Sequence, residues 1–190
     1  MNPVQDIHKL EYGESPAVVV ETPGRFHLIG EHSWFFKDKT LSMGVNLPVY
    51  VAVSLRSDDS FHFYFPQMKD RKKISMSAMK FRKEDRWANS IKAMIFGFTS
   101  RGYEVKGMNF TIYSDILPSG GFGITTAIKV GSAYAINEIC GLKCDENQII
   151  QTISRGNLKF LGSNNYLSAV LTAIHSEENK LVLTDYSTKS

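Results

Sequence analysis

The first third of the chain shows the two-residue alternation of side chains that is typical of β-strands. Val49, Val51 and Val53 alternate with the residues between them, and β-branched and aromatic residues favour strands. The pattern predicts strands at Ala17–Glu21, Val45–Leu55 and Ser60–Phe65. The last of these is expected to pair with its neighbour across a turn at Ser57–Asp59.

From Trp87 onward, large apolar residues recur at the spacing of an α-helix. Ile91, Met94 and Phe98 continue the stripe, and Gly102 lies just past its end, where a C-cap glycine is expected. The spacing predicts a helix whose apolar face belongs to a core.

Strand and helix alternate in the rest of the chain. Met108–Ser114 alternates as a strand, and a glycine-rich turn separates it from a helix predicted at Ile124–Ile139. Asp145 and Gln148 form a capping-box pattern at the start of another helix, which is expected to run to about Leu158. A further helix is predicted at Tyr166–Ile174 and a short strand at Leu181–Thr184.

This order of elements predicts the fold class. Strands come first, and strands and helices then mix, which is typical of an α+β domain of two layers. We expect a mixed sheet with the helices packed on one face. The 190 residues, 43% of them hydrophobic, suffice for one sizeable core, so residues 1–190 are expected to form a single domain.

Composition narrows the classes of function. A net charge of +3 argues against a nucleic-acid or membrane-surface partner. No apolar run has the length of a transmembrane helix, and the polar segment Met1–Leu10 lacks the apolar core of a signal peptide. We therefore expect a soluble, cytoplasmic protein. The basic cluster Lys69–Lys73 is interpreted as a solvated turn, and Cys140 and Cys144 as ordinary thiols rather than a metal site.

The glycine-rich turn before the predicted helix is the first candidate for chemistry. Gly120, Gly121 and Gly123 let the backbone approach a ligand closely, and free N–H groups in the first turn of a helix favour phosphate. Thr125 and Thr126 add two hydroxyls that could contact phosphate or Mg²⁺. The turn lacks the Gly-Lys-Ser/Thr of a Walker A loop and is not a Rossmann fingerprint.

A second segment, Thr22–His32, combines Arg25, Glu31 and His32 with two glycines. It resembles the galactokinase signature Pro-Gly-Arg-x-Asn-Leu-Ile-Gly-Glu-His-x-Asp. Galactokinases belong to the superfamily of galactokinase, homoserine, mevalonate and phosphomevalonate kinases (GHMP kinases). Further segments match the family in the same order, namely Met43–Val53, Trp87-Ala88-Asn89, Pro118–Ala127, Phe160-x-Gly162 and Leu183–Asp185.

The resemblance implies a fold and a function. The fold is that of the GHMP N-terminal domain, a two-layer mixed sheet with helices that is also found in domain 2 of ribosomal protein S5. Galactokinases transfer the γ-phosphate of ATP to the anomeric hydroxyl of galactose. The resemblance therefore implies ATP and Mg²⁺ as cofactors, and a sugar and a nucleotide as small-molecule partners.

It also implies roles for individual residues. Arg25 supports the catalytic Asp, and Glu31 and His32 contact sugar hydroxyls. The nucleotide is bound by Gly120, Gly121, Gly123, Thr125 and Thr126, with the two threonines as candidate Mg²⁺ ligands. We expect Arg25 to share one cleft with the glycine-rich turn.

Four positions depart from the family pattern. Trp34 replaces the Asp of the signature among the sugar-binding residues. Asn157 replaces the Mg²⁺-binding Glu three places before Phe160, and Ala169 replaces the catalytic Asp nine places after it. Phe122 stands in place of the second glycine of the loop. A neutral amide binds Mg²⁺ more weakly than a carboxylate, and alanine can neither accept a proton nor orient a hydroxyl.

Three functions are compatible with these residues. The first is a galactokinase-like domain that has lost phosphoryl transfer but binds nucleotide or sugar. The second is an active sugar kinase, or its N-terminal fragment, in which another carboxylate such as Glu31, Asp115 or Asp185 fills the gap. The third, a nucleic-acid-binding domain, is disfavoured by the near-neutral charge.

Two further interpretations concern the possible partner of this chain and the structural roles of Arg25 and His32. The family's C-terminal domain is absent from these 190 residues, so a separate C-terminal GHMP domain or a second copy of the chain is a candidate partner. Arg25 and His32 also have purely structural interpretations, as an ion pair with Glu31 and as a buried, hydrogen-bonded histidine.

Overall fold

The computed structural model describes residues 3–117, 119–163 and 167–188, without the side chain of Trp34. The helices and strands, in chain order, are α1 (Val4–Tyr12), β1 (Val18–Ile29), α2 (Ser33–Phe36), β2 (Lys39–Leu55), β3 (Ser60–Phe65), β4 (Asp70–Ser75), α3 (Ala88–Thr99), β5 (Met108–Ser114), α4 (Ile124–Ile139), α5 (Glu146–Arg155), α6 (Leu167–His175) and β6 (Val182–Asp185). Within the described ranges, no helix is both long and apolar enough to cross a membrane.

The strands form one six-stranded mixed sheet in the order β1-β2-β5-β3-β4, and β6 pairs with the first part of β2. β1 runs antiparallel along most of β2. β5 pairs antiparallel with the last part of β2 and parallel with β3. Ser42 pairs with His27 of β1 and with Val182 of β6, so β6 and β5 share the edge of β2 that lies opposite β1.

Two expectations about the strands are wrong. Ser60–Phe65 forms β3, but β5 lies between β3 and β2, so the two strands that flank the Ser57–Asp59 turn do not pair. Only Lys69 of the basic cluster belongs to a turn, with φ of +50°, because Asp70 begins β4, which pairs with β3. The alternation of β4 is hard to read from the sequence, since Ile74 is its one apolar residue.

The core lies between the sheet and the helices α3–α6, so the two-layer α+β prediction is confirmed. Val49, Val51 and Val53 are completely buried in this layer. α4 packs closely on the sheet, since a Cβ on Gly131 would lie 2.8 Å from Cγ2 of Val51. The predicted bounds of β5 and α4 are confirmed, as is the capping box at Asp145.

The helices at the C-terminal end differ slightly from the prediction. α5 ends at Arg155 rather than at Leu158, and a single π-helical turn, Gly156–Phe160, follows it. Gly156 allows that turn to rest directly on the backbone of α3, because a Cβ at this position would collide with the carbonyl oxygen of Ala93. α6 is described from Leu167, and Tyr166 lies outside the described residues.

The sequence pattern did not predict α1, which covers the opposite face of the sheet. His8 is completely buried there. Its Nδ1 and Nε2 lie 2.9 Å from the hydroxyls of Thr111 on β5 and Ser54 on β2. These residues alternate with core residues of the same strands, so they point away from α3–α6. The buried imidazole of His8 therefore bonds α1 to two neighbouring strands of the sheet.

We expect the free energy of unfolding to depend on pH through His8. Burial lowers the pKa of His8 to about 4, whereas a histidine in the unfolded chain titrates near 6.5. Between these values the unfolded chain binds more protons, so stability rises with pH across this window and is lost as the pH falls through it.

His8→Gln removes this contribution without removing hydrogen-bonding capacity. Urea unfolding of both proteins at about pH 4.5, 5.5 and 7.5 should show that the advantage of the unmodified chain grows with pH by on the order of 2–3 kcal/mol. An advantage that does not change with pH would show that His8 is not held neutral in the fold.

Candidate active site

The signature segment begins on β1, which runs from Val18 to Ile29 and does not end at Glu21 as predicted, and it continues into the turn that follows. Gly24 brings this strand close to the glycine turn, defined here as Ser119–Gly123. A Cβ on Gly24 would lie 2.8 Å from Cγ2 of Val45 and 3.1 Å from the carbonyl oxygen of Phe122. The glycine is therefore needed for the strand and the turn to meet.

Arg25 joins the strand to the glycine turn. Its amide donates a hydrogen bond of 2.9 Å to the carbonyl oxygen of Phe122. Its side chain lies against Gly123, where an added Cβ would be 3.0 Å from Cγ of Arg25 and 3.1 Å from Nε. Arg25 therefore lies directly against the glycine turn.

The glycine turn presents a row of unbonded amide groups. Gly123 is the N-cap of α4, with φ of +78°. The amides of Gly121, Phe122, Gly123, Ile124 and Thr125 donate to no acceptor in the described part of the chain. A Cβ on Gly121 would meet no atom of the described residues within 4 Å, so the described part of the turn is open on that side. Free N–H groups at the positive end of a helix favour an anion such as phosphate.

Arg25 and His27 lie two residues apart on β1 and point to the same face. Burial lowers the pKa of both side chains; Arg25 lowers the pKa of His27 further, and Glu31 acts in the opposite direction on both. Nε of Arg25 and Nε2 of His27 are buried and make no hydrogen bond with any described residue. No salt bridge within the described ranges involves Arg25, so the ion pair with Glu31 does not form.

Glu31 and His32 lie in the turn between β1 and α2. Gly30 has φ of +83°, and a Cβ there would collide with the carbonyl oxygen of Lys39. Ser33 closes the turn, because its amide donates to Gly30 at 3.0 Å and its hydroxyl to Lys39 at 2.6 Å. Glu31 and His32 are both exposed, which corrects the interpretation of His32 as a buried, hydrogen-bonded histidine.

The position matched to the catalytic Asp lies on α6, where Ala169 is buried. Its neighbour Ser168 is bound to Tyr186. The Tyr186 hydroxyl accepts a hydrogen bond of 3.0 Å from the Ser168 amide and donates one of 2.8 Å to the Ser168 hydroxyl. The hydroxyl groups of Ser168 and Tyr186 therefore lie next to the position of the missing carboxylate.

The other departures from the family pattern lie elsewhere. Asn157 is buried in the π-helical turn. Its backbone carbonyl oxygen accepts a hydrogen bond of 3.0 Å from the Ser163 amide. Trp34 belongs to the short helix α2, and its side chain lies outside the described residues. Thr125 is exposed and Thr126 is half-buried in the first turn of α4.

Of the three carboxylates that could replace the missing ones, only Glu31 acts on Arg25. Hydrogen bonds from Ser187 occupy Asp185 and lower the pKa of Asp185. Asp115 raises the pKa of Tyr50 and shows no interaction with Arg25.

Sequence reasoning missed three residues of this cluster. His27 stands where the signature has Asn, so the sequence already held a signal for it. Ser168 and Tyr186 have no sequence pattern in common, and only the fold brings them together.

Burial also lowers the pKa of Lys129 to about 8. This lysine lies one turn beyond Thr125 on α4, and side chains on a helix lean toward its N-terminus.

Two family models match the chain. The galactokinase galactose-binding signature matches residues 6–55, and the GHMP kinases N-terminal domain matches residues 89–176. The chain belongs to the GHMP kinase family. The first match includes the signature strand and the Gly30 turn, and the second includes the glycine turn, α4 and α6. The resemblance drawn from the sequence is confirmed.

The chain is similar to individual galactokinases and to a mevalonate kinase. It is 34% identical over 189 residues to a putative galactokinase from Treponema pallidum (strain Nichols), covering 100% of this chain and 48% of that protein. The crystal structure of Lactococcus lactis galactokinase complexed with galactose superposes with a TM-score of 0.85 at 19% identity, over 98% of this chain and 49% of that one. Methanococcus jannaschii mevalonate kinase gives a TM-score of 0.71 at 16% identity, over 90% and 54%. The chain spans about half the length of the curated relatives it matches.

The contact between Arg25 and the glycine turn of this GHMP chain can be tested with two glycine substitutions. Gly121 and Gly123 both have positive φ, at +80° and +78°. An alanine at either position is strained by about 1–2 kcal/mol, but only at Gly123 must it also displace Arg25. We expect Gly123→Ala to be about 1 kcal/mol less stable in urea unfolding than Gly121→Ala. Equal stabilities would mean that Arg25 does not pack against the turn in solution.

Proposed function

We propose that this chain is a galactokinase-like GHMP domain that binds a nucleotide on its glycine turn and carries out little or no phosphoryl transfer. The proposal rests above all on one observation, the row of unbonded amides from Gly121 to Thr125 held against Arg25. The matched positions of the catalytic and Mg²⁺-binding carboxylates are Ala169 and Asn157, which supports the loss of transfer.

The geometry of the glycine turn fits a phosphate chain. Five consecutive amides donate to no described residue, and no described atom lies within 4 Å of a Cβ built on Gly121. The turn caps a helix of 16 residues, so the helix dipole adds to the attraction for an anion. ATP, when bound, would supply its γ-phosphate as the group to be transferred. Gly120, Gly121 and Gly123 would let the phosphates approach, and the Thr125 and Thr126 hydroxyls would donate to them.

The donors present do not fit a Mg²⁺ ion held by the protein. Mg²⁺ in phosphoryl-transfer sites is bound through one or two carboxylates, whereas this chain offers the hydroxyls of Thr125 and Thr126 and the amide of Asn157. Nor does the described part of the chain contain a group of three or more His, Cys, Asp or Glu residues that could hold a metal ion. No catalytic step is therefore assigned to a metal held by this chain.

The residues matched to the family's sugar-binding positions depart further from the family pattern than those matched to its phosphate loop. A base or orienting group beside the acceptor hydroxyl contributes about 10²–10⁴ in rate, and Ala169 cannot supply one. Trp34 likewise offers no carboxylate to a sugar hydroxyl. We therefore infer weak binding of galactose, with Glu31 and His32 as the remaining exposed contacts for sugar hydroxyls.

An active sugar kinase, or its N-terminal fragment, is the alternative, and the coupling of Glu31 to both Arg25 and His27 favours it. In that case Glu31 would take the place of the missing carboxylate. Because the chain spans about half of its relatives, a second GHMP half is the partner that would complete either function. It would cover the open side of the cleft and exclude water.

The phosphate site can be tested by calorimetric titration with inorganic tripolyphosphate. Thr125→Pro removes one of the free amides, at a first-turn position where proline is tolerated. Thr125→Ala removes the hydroxyl but keeps the amide. A hydrogen bond to a charged group contributes about 1.5–3 kcal/mol, so we expect at least about tenfold weaker binding for the proline variant and a smaller loss for the alanine variant.

The basic cluster Lys69–Lys73 provides the control for this titration. We expect Lys69→Gln and Lys73→Gln to bind tripolyphosphate nearly as well as the unmodified chain does. Binding that is abolished by these two changes and unaffected by Thr125→Pro would place the anion on the basic cluster and contradict the proposal.

Loss of phosphoryl transfer can be tested by ADP release in the presence of ATP, Mg²⁺ and several sugars. We expect no sugar-dependent turnover from the unmodified chain, because the orienting carboxylate and the strong Mg²⁺ ligand are both missing. The double variant Ala169→Asp, Asn157→Glu supplies both groups, and turnover confined to this variant would support the proposal. Sugar-dependent turnover by the unmodified chain would favour the active kinase instead.

A further inference from the structure

Strand β4 forms a free edge of the sheet, since among the described residues it pairs with β3 and with no other strand. At the end of this ladder the Met76 amide donates to the Asp59 carbonyl oxygen at 3.0 Å, and hydrogen-bonded pairs alternate along an antiparallel ladder. The amides and carbonyls of Arg71, Lys73 and Ser75 therefore point away from β3. They bond to no described residue, and all three side chains are exposed.

The positive charge of the chain is concentrated in the segment that contains β4. Residues 69–86 include eight of the 22 basic residues but three of the 19 acidic ones. This segment carries a net charge of +5, whereas the whole chain carries +3. The rest of the chain is therefore slightly acidic, and the excess of cations belongs to one stretch of sequence.

Both halves of this segment lie at the same border of the sheet. Residues 76–86 leave one end of β4 and return to its other end, because Trp87 Nε1 donates to Oδ2 of Asp70 at 2.9 Å and the Trp87 ring packs edge-on against Phe65. Phe65 and Asp70 form the pair at that end of the β3–β4 ladder. The cations that follow β4 in sequence are thus brought back beside the strand.

Most of these cations have no counter-charge among the described residues. The carboxylate of Asp70 pairs with Lys72 at 3.3 Å. Asp85 pairs at 2.8 Å with Lys92, a buried lysine of α3, so Glu84 is the remaining carboxylate of the segment. Six exposed cations form no salt bridge with any described residue, namely Lys69, Lys73, Lys80, Arg82, Lys83 and Arg86.

We propose that the free edge of β4 and these six cations form a docking surface for an extended acidic segment of a partner protein, which adds to the sheet as a further strand. The backbone of that segment pairs with the outward amides and carbonyls of β4, and its carboxylates lie beside the cations. β4 and β1 stand at the two ends of the strand order. The inference therefore concerns a different part of the sheet from the glycine turn and does not depend on nucleotide binding.

The backbone groups of the edge decide between a peptide and other polyanions. The outward carbonyl oxygens of Arg71, Lys73 and Ser75 need donors, and an added strand supplies N–H groups at the matching spacing. The phosphate groups of a nucleic acid are acceptors and would leave these carbonyls unpaired. Pairing of β4 with a second copy of itself would bring like charges together, which is how lysines protect edge strands from association. An acidic strand satisfies both the charges and the backbone.

The test is a titration of the whole chain with a short, labelled and blocked peptide of alternating glutamate and valine, followed by fluorescence anisotropy at low ionic strength. The control peptide has glutamine in place of glutamate. We expect the control to bind at least about tenfold more weakly, because each exposed ion pair changes affinity by up to about fivefold and several contribute. Added salt should weaken binding of the glutamate peptide. Equal binding of the two peptides, or no binding of the glutamate peptide, would overturn the proposal.

A proline substitution separates strand addition from attraction by charge alone. Ser75 has φ of −85°, close to the range of proline, and proline is tolerated on an edge strand where the amide faces solvent. Ser75→Pro removes one outward amide, and Ser75→Ala retains it. We expect the proline variant to bind the glutamate peptide about three- to tenfold more weakly than the alanine variant. Equal affinities of these two variants would contradict the addition of a strand.

Amide hydrogen exchange of the unmodified chain keeps the test decisive if Ser75→Pro does not fold. The glutamate peptide should slow exchange of the Arg71 and Lys73 amides at least about tenfold and leave Lys72 and Ile74, whose amides face β3, unchanged. Outward amides that still exchange rapidly with the peptide bound would overturn the proposal. Oligothymidylate that binds more tightly than the glutamate peptide would assign the surface to nucleic acid and would also overturn it.

Discussion

One backbone hydrogen bond organises the site, namely the bond from the Arg25 amide to the carbonyl oxygen of Phe122, at 2.9 Å. It joins the signature strand β1 to the turn that caps α4. Gly24 and Gly123 favour this contact, since a Cβ on Gly24 would press on the Phe122 carbonyl oxygen and one on Gly123 would displace the Arg25 side chain. With the Phe122 carbonyl engaged and α4 fixed on the sheet, the amides of the turn are left facing the open side. The row of free amides, to which we propose that phosphate binds, therefore follows from a structural contact and needs no ligand to form it.

Charge balance distinguishes this chain from the family pattern that it otherwise follows. The backbone parts of the site, which are the turn, the strand and the N-terminus of α4, are present. The carboxylates implied for positions 34, 157 and 169 are not. Of the carboxylates that the sequence offered as replacements, only Glu31 raises the pKa of Arg25. The proposed loss of phosphoryl transfer follows from the three substituted positions.

The sequence predicted the parts of the fold that rest on local patterns. β5, α4 and the capping box of α5 lie where periodicity and capping residues placed them. It failed where pairing is non-local: the Ser57–Asp59 turn suggested a hairpin, but β5 inserts between the two strands. The same limit applies to the site. Arg25 and the glycine turn could be named from their motifs. The Tyr186–Ser168 pair depends on packing, which no local pattern records.

Amide hydrogen exchange measured by NMR tests the central contact most directly. The account predicts that the Arg25 amide is protected, because it donates to Phe122, while the amides from Gly121 to Thr125 exchange rapidly and become protected only when tripolyphosphate is added. An Arg25 amide that exchanges as fast as those of the turn would contradict it, as would turn amides that are already protected without the anion. Either result would mean that strand and turn do not form the open, preformed site described here.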